Sequence, residues 1–346
     1  MTLRSGRRTS GLAFIGLASV AAMLAAGAAS AGTLDTVKTR GSVACGVNQG
    51  LLGFALADEA GKWAGFDVDF CKAVAAAVLG DAEKVTYVPV SATDRFEALK
   101  AGKIDVLARN STWTLQREAE LGISFVGVTY YDGQGFMVKR SSGKESALDL
   151  DGAAVCVQTG TTTEPNFIDF FTTNNMKYTV VAATTPDESV ENYKAGRCDV
   201  LTSDVSQLYA ERATLPDPGE SLILPDVISK EPLAPAVRDD DAQWRKIVEW
   251  VNFALINAEE YGISSDRLDE AKASKKPEVM RIVGTDGSFG EKLGLSNDWV
   301  IKIVGSVGNY GEIYERNLGV NSKLGIPRGL NQLWSKGGIQ YAPPLR

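Results

Sequence analysis

Histidine is missing from this sequence of 346 residues. Without an imidazole, the chain cannot form a Ser-His-Asp or Cys-His catalytic arrangement, nor a metal site with histidine ligands. Its four cysteines lack the clustered spacing of a zinc motif. The sequence therefore predicts neither a bound metal nor a cofactor, although catalysis by carboxylate or lysine side chains stays open.

Long apolar runs are scarce, and the one present lies at the amino terminus. Residues 11–27 are mostly apolar, follow Arg4, Arg7 and Arg8, and precede the small-residue sequence Ala29-Ser30-Ala31. This order is typical of a secretory signal peptide, so residues 1–31 are predicted to be cleaved. An uncleaved membrane anchor is the alternative, but the run is short for a membrane span. We expect export to the periplasm and no membrane insertion after cleavage.

Positive charge is in deficit once the signal segment is removed. The remaining chain keeps 33 Lys and Arg against 43 Asp and Glu, a net charge of −10. Such an acidic protein is a poor partner for nucleic acid or for an anionic membrane surface. We expect a monomer that binds neither nucleic acid nor a membrane surface.

The cysteines fall into two groups, Cys45 with Cys71 and Cys156 with Cys198. Export brings them into an oxidising compartment, where disulfides persist. We predict the disulfides Cys45–Cys71 and Cys156–Cys198. Connectivity does not follow from sequence alone, and four free thiols are the alternative.

Two twelve-residue segments, 96–107 and 190–201, repeat each other at a distance of 94 residues. Seven of the twelve aligned positions are identical. Each copy is typical of a helix end, a Gly stop and a short buried strand. Similar strands and helices flank both copies, so the repeat predicts two α/β lobes. The repeated residues Asp105 and Asp199 come at the strand starts, where we expect a structural role.

The expected fold is two-lobed, and each lobe is a mainly parallel sheet flanked by helices. Segments 130–140 and 224–238 are extended and predict two strands that cross between the lobes as a hinge. The first lobe is predicted to comprise residues 32–132 and 236–280, and the second lobe residues 133–235. Residues 281–346 are predicted to form a helical extension on the first lobe.

Polar groups follow the strand ends, where open α/β sheets bind ligands. Gly160, Thr161 and Thr162 precede a predicted helix and could bind an anion, or could form an ordinary helix cap. Arg117 suits a carboxylate, although a surface pair with a nearby Glu is the alternative. Asp204 suits an ammonium group or caps the following helix. Together these groups fit the zwitterionic part of an amino acid.

Several longer strings of residues indicate a protein family. The chain resembles the extracytoplasmic amino-acid-binding proteins of ABC importers, which have the type II periplasmic binding fold. Within this family it is similar to the larger general L-amino-acid and glutamate/glutamine/aspartate/asparagine binders of proteobacteria. The resemblance covers nearly the whole mature chain, including the strings VCVQTGTTT from 155, YYDGQGFMV from 130 and VGNYGE from 307.

The resemblance implies roles for individual residues. Asn110, Thr112 and Arg117 would hold the α-carboxylate together with Gly160, Thr161 and Thr162, while Asp204 would bind the ammonium group. Phe54, an aromatic residue of the first loop, would cover the ligand. Arg109 would either neutralise an acidic ligand side chain or pair with an internal carboxylate, and we favour the internal pair. Trp113 is a further candidate for side-chain selectivity.

The implied function is capture of an L-amino acid by hinge closure and delivery to the membrane permease of an ABC transporter. The ligand range is either broad or restricted to acidic and amide side chains. A periplasmic dehydratase with the same bilobal fold is an alternative, for which Glu164 is the one candidate acid or base. A sensor that presents the ligand to a receptor is another. We expect a binding protein and not an enzyme.

Overall fold

Strands and helices alternate along residues 32–346, the part of the chain that the computed structural model describes. The predicted signal peptide lies outside the described residues. The strands are β1 Val43–Val47, β2 Leu56–Ala57, β3 Trp63–Ala64, β4 Val85–Pro89, β5 Val106–Leu107, β6 Ile123–Phe125, β7 Tyr130–Asp132, β8 Gln134–Lys139, β9 Ala153–Gln158, β10 Tyr178–Ala183, β11 Val200–Asp204, β12 Ser221–Ile223, β13 Glu231–Leu233 and β14 Ala236–Arg238. The helices are α1 Thr33–Arg40, α2 Phe66–Leu79, α3 Arg95–Lys100, α4 Leu115–Leu121, α5 Thr163–Thr173, α6 Pro186–Lys194, α7 Val205–Ala213, α8 Ala242–Glu260, α9 Leu268–Ala273, α10 Pro277–Val283, α11 Phe289–Leu293, α12 Trp299–Val307 and α13 Tyr310–Asn317.

Two five-stranded sheets define two lobes. The first lobe has the strand order β4-β1-β5-β14-β6, and the second has β10-β9-β11-β8-β12. In each sheet a single strand, β14 or β8, runs antiparallel to its neighbours. The predicted two-lobed α/β fold with mainly parallel sheets is confirmed. The lobe boundaries proposed from sequence stay predictions.

Local sequence signals place the helix ends. Helix α2 ends before Gly80, whose φ of 71° is the left-handed conformation that a side chain disfavours. Helix α8 begins at the cap Asp241, whose carboxylate accepts from the backbone N–H of Trp244 at 2.9 Å. Helix α13 begins with a reciprocal cap between Asn309 and Glu312.

The two copies of the internal repeat have the same structural role, one in each lobe. Asp105 Oδ2 accepts from the backbone N–H of Ala44 on β1, at 2.7 Å. Asp199 Oδ2 accepts from the backbone N–H of Ala154 on β9, at 2.9 Å. Each repeated aspartate thus joins the start of one strand to its parallel neighbour, far from the carboxyl ends. The structural role predicted for both is confirmed.

The chain crosses between the lobes twice, through a short antiparallel pair of β7 and β13. In this pair Asp132 lies opposite Glu231, and Tyr130 lies opposite Leu233. The two extended crossing segments expected from sequence are therefore present, and they lie side by side. Backbone adjustment at this pair can change the angle between the sheets.

The two disulfides are those predicted. Cys45–Cys71 joins β1 to α2, and Cys156–Cys198 joins β9 to the residues before β11. Each bond thus closes a loop within one lobe.

The carboxyl-terminal helices pack on the first lobe. Helix α12 lies against α2 and α8, and Trp299, Ile303 and Val304 are buried there. Tyr314 of α13 stacks on Tyr130 of the hinge pair with a centroid distance of 6.0 Å. Within residues 32–346, every helix is too short or too polar to span a bilayer.

Candidate functional site

A small cavity lies where the carboxyl ends of the strands of both lobes meet. Its volume is about 20 Å³, room for about one water molecule. The first lobe lines it with Arg95, Arg109, Asn110, Thr112 and Arg117, and the second lobe with Gln158, Thr161, Thr162, Thr163, Ser203, Asp204 and Gln207. Most of the site residues proposed from sequence are therefore brought together from distant parts of the chain.

Arg117 and Arg95 share one aromatic support. The guanidinium groups of Arg95 and Arg117 lie 4.8 and 5.2 Å from the ring centroid of Phe96. Arg117 sits in the first turn of α4, where its backbone N–H donates to the cap Thr114, and its Nη1 donates to the Thr112 carbonyl at 2.7 Å. Cation–ring contact and a fixed hydrogen bond hold this guanidinium in place.

Asp204 is a buried carboxylate without the helix-cap bond expected of its position. It occupies the cap position of α7 but makes no side-chain cap bond, and Asp132 of the hinge instead accepts from the backbone N–H of Ser206. Asp204 Oδ1 has no hydrogen-bond partner among residues 32–346. Burial, and then Asp132 and Glu231 nearby, raise the pKa of Asp204 well above its usual range. A cation in the cavity would offset that cost.

The threonine hydroxyls of the cavity already donate their protons to other groups of the protein. Thr112 Oγ1 and Thr162 Oγ1 both donate to Glu231 Oε2, at 2.6 and 2.9 Å, and Thr161 Oγ1 donates to the Gln158 carbonyl at 2.7 Å. A hydroxyl has a single proton, so these oxygens cannot also donate to a ligand carboxylate. In this arrangement the side chains of Thr112, Thr161 and Thr162 offer no proton to a ligand, and their contact with the ligand carboxylate stays a prediction. Backbone N–H groups at the start of α5 remain as donors, because the first helical turn leaves them without intrahelical partners.

Asn110 connects the lobes. Its φ of 32° is left-handed, its backbone N–H donates to Asp67, and its Nδ2 donates to Gln207 Oε1 across the lobes at 3.3 Å. The side-chain oxygen Oδ1 of Asn110 accepts from Asn48 Nδ2 at 3.0 Å. The side chain predicted to hold a ligand carboxylate is therefore largely engaged by protein groups.

Arg109 lines the cavity and, within residues 32–346, has one buried donor atom without a partner. Its Nε donates to the Val90 carbonyl at 3.0 Å, while its Nη2 has no partner among the described residues. Burial lowers its pKa to about 10, although Asp67 favours the charged form. Burial raises the pKa of Asp67 to about 7. Among residues 32–346, no direct hydrogen bond joins the side chains of Arg109 and Asp67. The internal pair favoured from sequence therefore consists of two groups that lie near each other without being bonded.

Gly160 acts through its backbone and does not line the cavity. Its φ is 74°, and a side-chain carbon built there would lie 2.9 Å from Cγ2 of Thr93 in the other lobe. The Gly160 carbonyl accepts from Arg95 Nη2 at 3.4 Å. A glycine at this position therefore permits the close approach of the two lobes.

Two aromatic residues proposed for the site lie elsewhere. Phe54 is 1% exposed and packs edge-on against Phe66 and Tyr130 in the first-lobe core. Trp113 stacks on Phe125 at a centroid distance of 5.7 Å, and its Nε1 donates to Glu118. Neither lines the cavity, since Phe54 belongs to the first-lobe core and Trp113 is half-buried against Phe125. Glu164, the candidate acid or base, does not line it either.

Sequence reasoning missed several lining residues. Gln158 and Ser203 end strands β9 and β11, so the strand-end rule already pointed to them. The same rule applied to β4 leads to the start of α3 and to Arg95. Glu231 had no comparable signal, because its partners are separated from it by 69 and 119 residues.

Known proteins are similar to this chain over most of its length. Residues 43–264 match the family described as bacterial extracellular solute-binding proteins, family 3. The chain is 58% identical, over 94% of its length and 97% of the relative's, to the general L-amino acid-binding periplasmic protein AapJ of Rhizobium johnstonii. It is 54% identical, over 96% of its length and 99% of the relative's, to the glutamate/glutamine/aspartate/asparagine-binding protein BztA of Rhodobacter capsulatus.

A solved structure is similar throughout. It is an ABC transporter periplasmic binding protein from Brucella ovis with glutathione bound, 50% identical in sequence, with a TM-score of 0.90. The match covers 91% of this chain and all of that one.

Proposed function

Because this chain belongs to family 3 of the bacterial extracellular solute-binding proteins, we propose that it captures an L-amino acid between its lobes for an ABC importer. One observation carries the proposal: Asp204, whose buried Oδ1 has no partner among the described residues, lines the same small cavity as Arg95 and Arg117. A buried carboxylate and buried guanidinium groups in one cavity suit a ligand that has both an ammonium and a carboxylate group.

Each end of the zwitterion has a matching group. The α-carboxylate contacts Arg117 and the backbone N–H groups at the start of α5, which together supply charge and directed donors. The α-ammonium contacts Asp204, which has no other cation bonded to it among residues 32–346. Arg117 comes from the first lobe, whereas Asp204 and the start of α5 come from the second, so only the closed form engages all of these groups.

The side chain of the ligand is acidic or an amide. Arg95 Nε and Arg109 Nη2 are buried donors without partners among the described residues, and both side chains line the cavity. A second carboxylate or an amide oxygen would satisfy them. The relative BztA is named for ligands of this class, which supports the assignment.

A γ-glutamyl peptide is the second candidate. The relative from Brucella ovis has glutathione bound. The γ-glutamyl end of glutathione has the ammonium and carboxylate groups of an amino acid. The same charged residues could therefore hold that end, with the rest of the peptide occupying a less closed cleft.

Binding requires the lobes to open, because the cavity between them has room for about one water molecule. The β7–β13 pair is the place where the backbone can adjust. In the cell, the signal peptide directs the chain to the periplasm, and the closed monomer presents its ligand to the membrane permease. The similarity to the periplasmic proteins AapJ and BztA supports this placement.

Mass spectrometry of the small molecule released on denaturing the purified protein tests the proposal. Calorimetry with L-glutamate, L-glutamine, L-aspartate, L-asparagine, L-leucine, D-glutamate and glutathione then ranks the candidates. We expect the acidic and amide L-amino acids to bind more tightly than L-leucine and D-glutamate. Tighter binding of glutathione would support the second candidate, and failure of every compound to bind would overturn both.

A further inference from the structure

Glu231 is a buried carboxylate at the centre of the contact between the lobes. It begins β13 of the hinge pair and is 2% exposed. Its Oε2 accepts from Thr112 Oγ1 of the first lobe and Thr162 Oγ1 of the second. Its Oε1 accepts from Asn166 Nδ2 and Ser229 Oγ, at 2.7 and 2.6 Å. One carboxylate thus binds groups of both lobes and of the hinge.

The protons in this group can be counted. An ionised carboxylate only accepts, so Thr112 and Thr162 each have to supply their single hydroxyl proton to it. Both threonines line the cavity. What they offer to a ligand is therefore oxygen lone pairs. An ammonium group can donate to such oxygens, whereas a carboxylate is repelled by them.

All four side chains bonded to Glu231 can act as donors, so each of these bonds fits a carboxylate that only accepts. The Arg117 guanidinium lies near this group: burial lowers the pKa of Arg117, whereas Glu231 and Asp204 favour its charged form.

We propose that Glu231 is a positioning residue that fixes the proton direction of Thr112 and Thr162, and thereby makes the site selective for a ligand with an ammonium group. This inference rests on the proposed function and deepens it. Asp204 attracts a cation by charge, while the hydroxyls oriented by Glu231 accept its remaining N–H groups. A ligand with the same carboxylates and a keto oxygen in place of the ammonium group meets only acceptors there.

The substitution Glu231→Gln tests the inference because it keeps the size and shape of the side chain. Asn166 Nδ2 and Ser229 Oγ donate at the Oε1 position, so the carbonyl oxygen of glutamine is favoured there. Its NH₂ group then faces Thr112 and Thr162. These hydroxyls have to accept from it, and their own protons turn towards the cavity.

Calorimetry of L-glutamate and 2-oxoglutarate, compared between wild type and variant, is the measurement. We expect Glu231→Gln to weaken L-glutamate binding by at least about tenfold, the effect of one lost charge-assisted bond. Binding of 2-oxoglutarate should be unchanged or stronger, because a hydroxyl can now donate to its keto oxygen. The ratio of the two dissociation constants should therefore change by at least about tenfold.

Ser229→Ala is the matched control. It removes one bond to Glu231 Oε1 and leaves both threonine bonds, so any loss should be equal for the two ligands. If binding of 2-oxoglutarate cannot be detected in any of the proteins, the test is made with L-glutamate alone. Glu231→Gln should then weaken L-glutamate binding more than Ser229→Ala does. Equal losses in Glu231→Gln for both ligands, or no loss, would overturn the inference.

A second variant covers the case in which Glu231→Gln does not fold. Thr112→Val keeps the volume and removes the acceptor, so L-glutamate should lose affinity and 2-oxoglutarate should not. An equal loss for both would again overturn the inference. Wild-type protein that binds no L-amino acid would instead show that the proposed function is wrong, which is a different result.

Discussion

The side-chain amide of Asn331 pairs with both backbone groups of Tyr131. Asn331 Oδ1 accepts from the Tyr131 N–H at 2.7 Å, and Nδ2 donates to the Tyr131 carbonyl at 3.0 Å. Tyr131 lies in β7, whose other edge pairs with β13. A residue of the carboxyl-terminal extension therefore hydrogen-bonds to the edge of β7 that β13 leaves free.

We expect Asn331→Ala to lower the free energy of unfolding by about 1–3 kcal/mol, because it leaves both hinge backbone groups without their partner. Urea unfolding measures this. The exposed Asn321→Ala in the same extension is the control and should change stability by less than about 0.5 kcal/mol. Equal effects of the two variants would show that the pairing contributes nothing specific.

Asp204→Asn should weaken amino-acid binding by about 2–5 kcal/mol, which is about 30-fold or more. The amide keeps the shape of the side chain but cannot carry the charge that an ammonium group requires. Calorimetry with L-glutamate checks the loss. The exposed Asp240→Asn makes the same change in net charge and should bind as wild type does. Unchanged affinity in Asp204→Asn would contradict the assigned ammonium contact.

Arg95→Met should have opposite effects on stability and on binding. The buried guanidinium has one long contact with Gly160 and an unpartnered Nε among residues 32–346, and burial lowers its pKa well below its ordinary value. Its removal should raise the free energy of unfolding by about 1–3 kcal/mol and weaken acidic ligands more than neutral ones. Urea unfolding and calorimetry test this, with exposed Lys103→Met as the control. A variant that is less stable and equally selective would refute the proposed side-chain contact.

Glu211 predicts a pH dependence of stability. Its Oε1 accepts from Gln207 Nε2 at 2.8 Å, its Oε2 has no partner among the described residues, and burial raises its pKa from 4.5 to about 8. Between these pH values the Glu211 carboxyl is ionised in the unfolded chain and protonated in the folded protein. The free energy of unfolding therefore falls as the pH rises from about 4.5 to about 8.

In Glu211→Gln this decline should be smaller, by up to about 1.4 kcal/mol for each unit of pKa shift removed. Urea unfolding at pH 5 and at pH 9 measures the difference. The exposed Glu220→Gln serves as the control for net charge and should keep the wild-type decline. A decline of the same size in Glu211→Gln would assign the pH dependence to other groups.

Removal of each disulfide should destabilise the lobe that contains it. The bonds close sequence separations of 26 and 42 residues, for which chain entropy predicts losses of about 3.5 and about 4 kcal/mol. We expect Cys45→Ala with Cys71→Ala, and Cys156→Ala with Cys198→Ala, to show these losses in urea unfolding. Addition of a reducing agent should then have a smaller effect on each variant than on wild type.

Much of the fold follows from local pattern. The apolar run at Ala153–Gln158 and the helical periodicity at Phe66–Leu79 predict these elements with the bounds that the structure has. The repeat predicts that two such units exist, since its two copies share flanking elements. These predictions succeed because alternation, capping and glycine stops act over a few residues.

The site could be predicted only in part. Arg117 and Asp204 follow strand ends, and strand ends meet wherever two α/β lobes face each other. Glu231 could not be found in this way, because its role depends on hydroxyl groups distant in sequence. Phe54 packs in the first-lobe core, which the sequence could not decide, because an apolar ring suits a protein core and a ligand equally.

Phe96 has a consequence for how this site can diverge. Its ring supports both Arg117, which we propose binds the part that all amino acids share, and Arg95, which we propose contacts the part in which they differ. A replacement at position 96 would therefore disturb affinity and selectivity together. Variants that acquire a new ligand range without losing general affinity should keep an aromatic ring at this position and vary Arg95 or Arg109 instead.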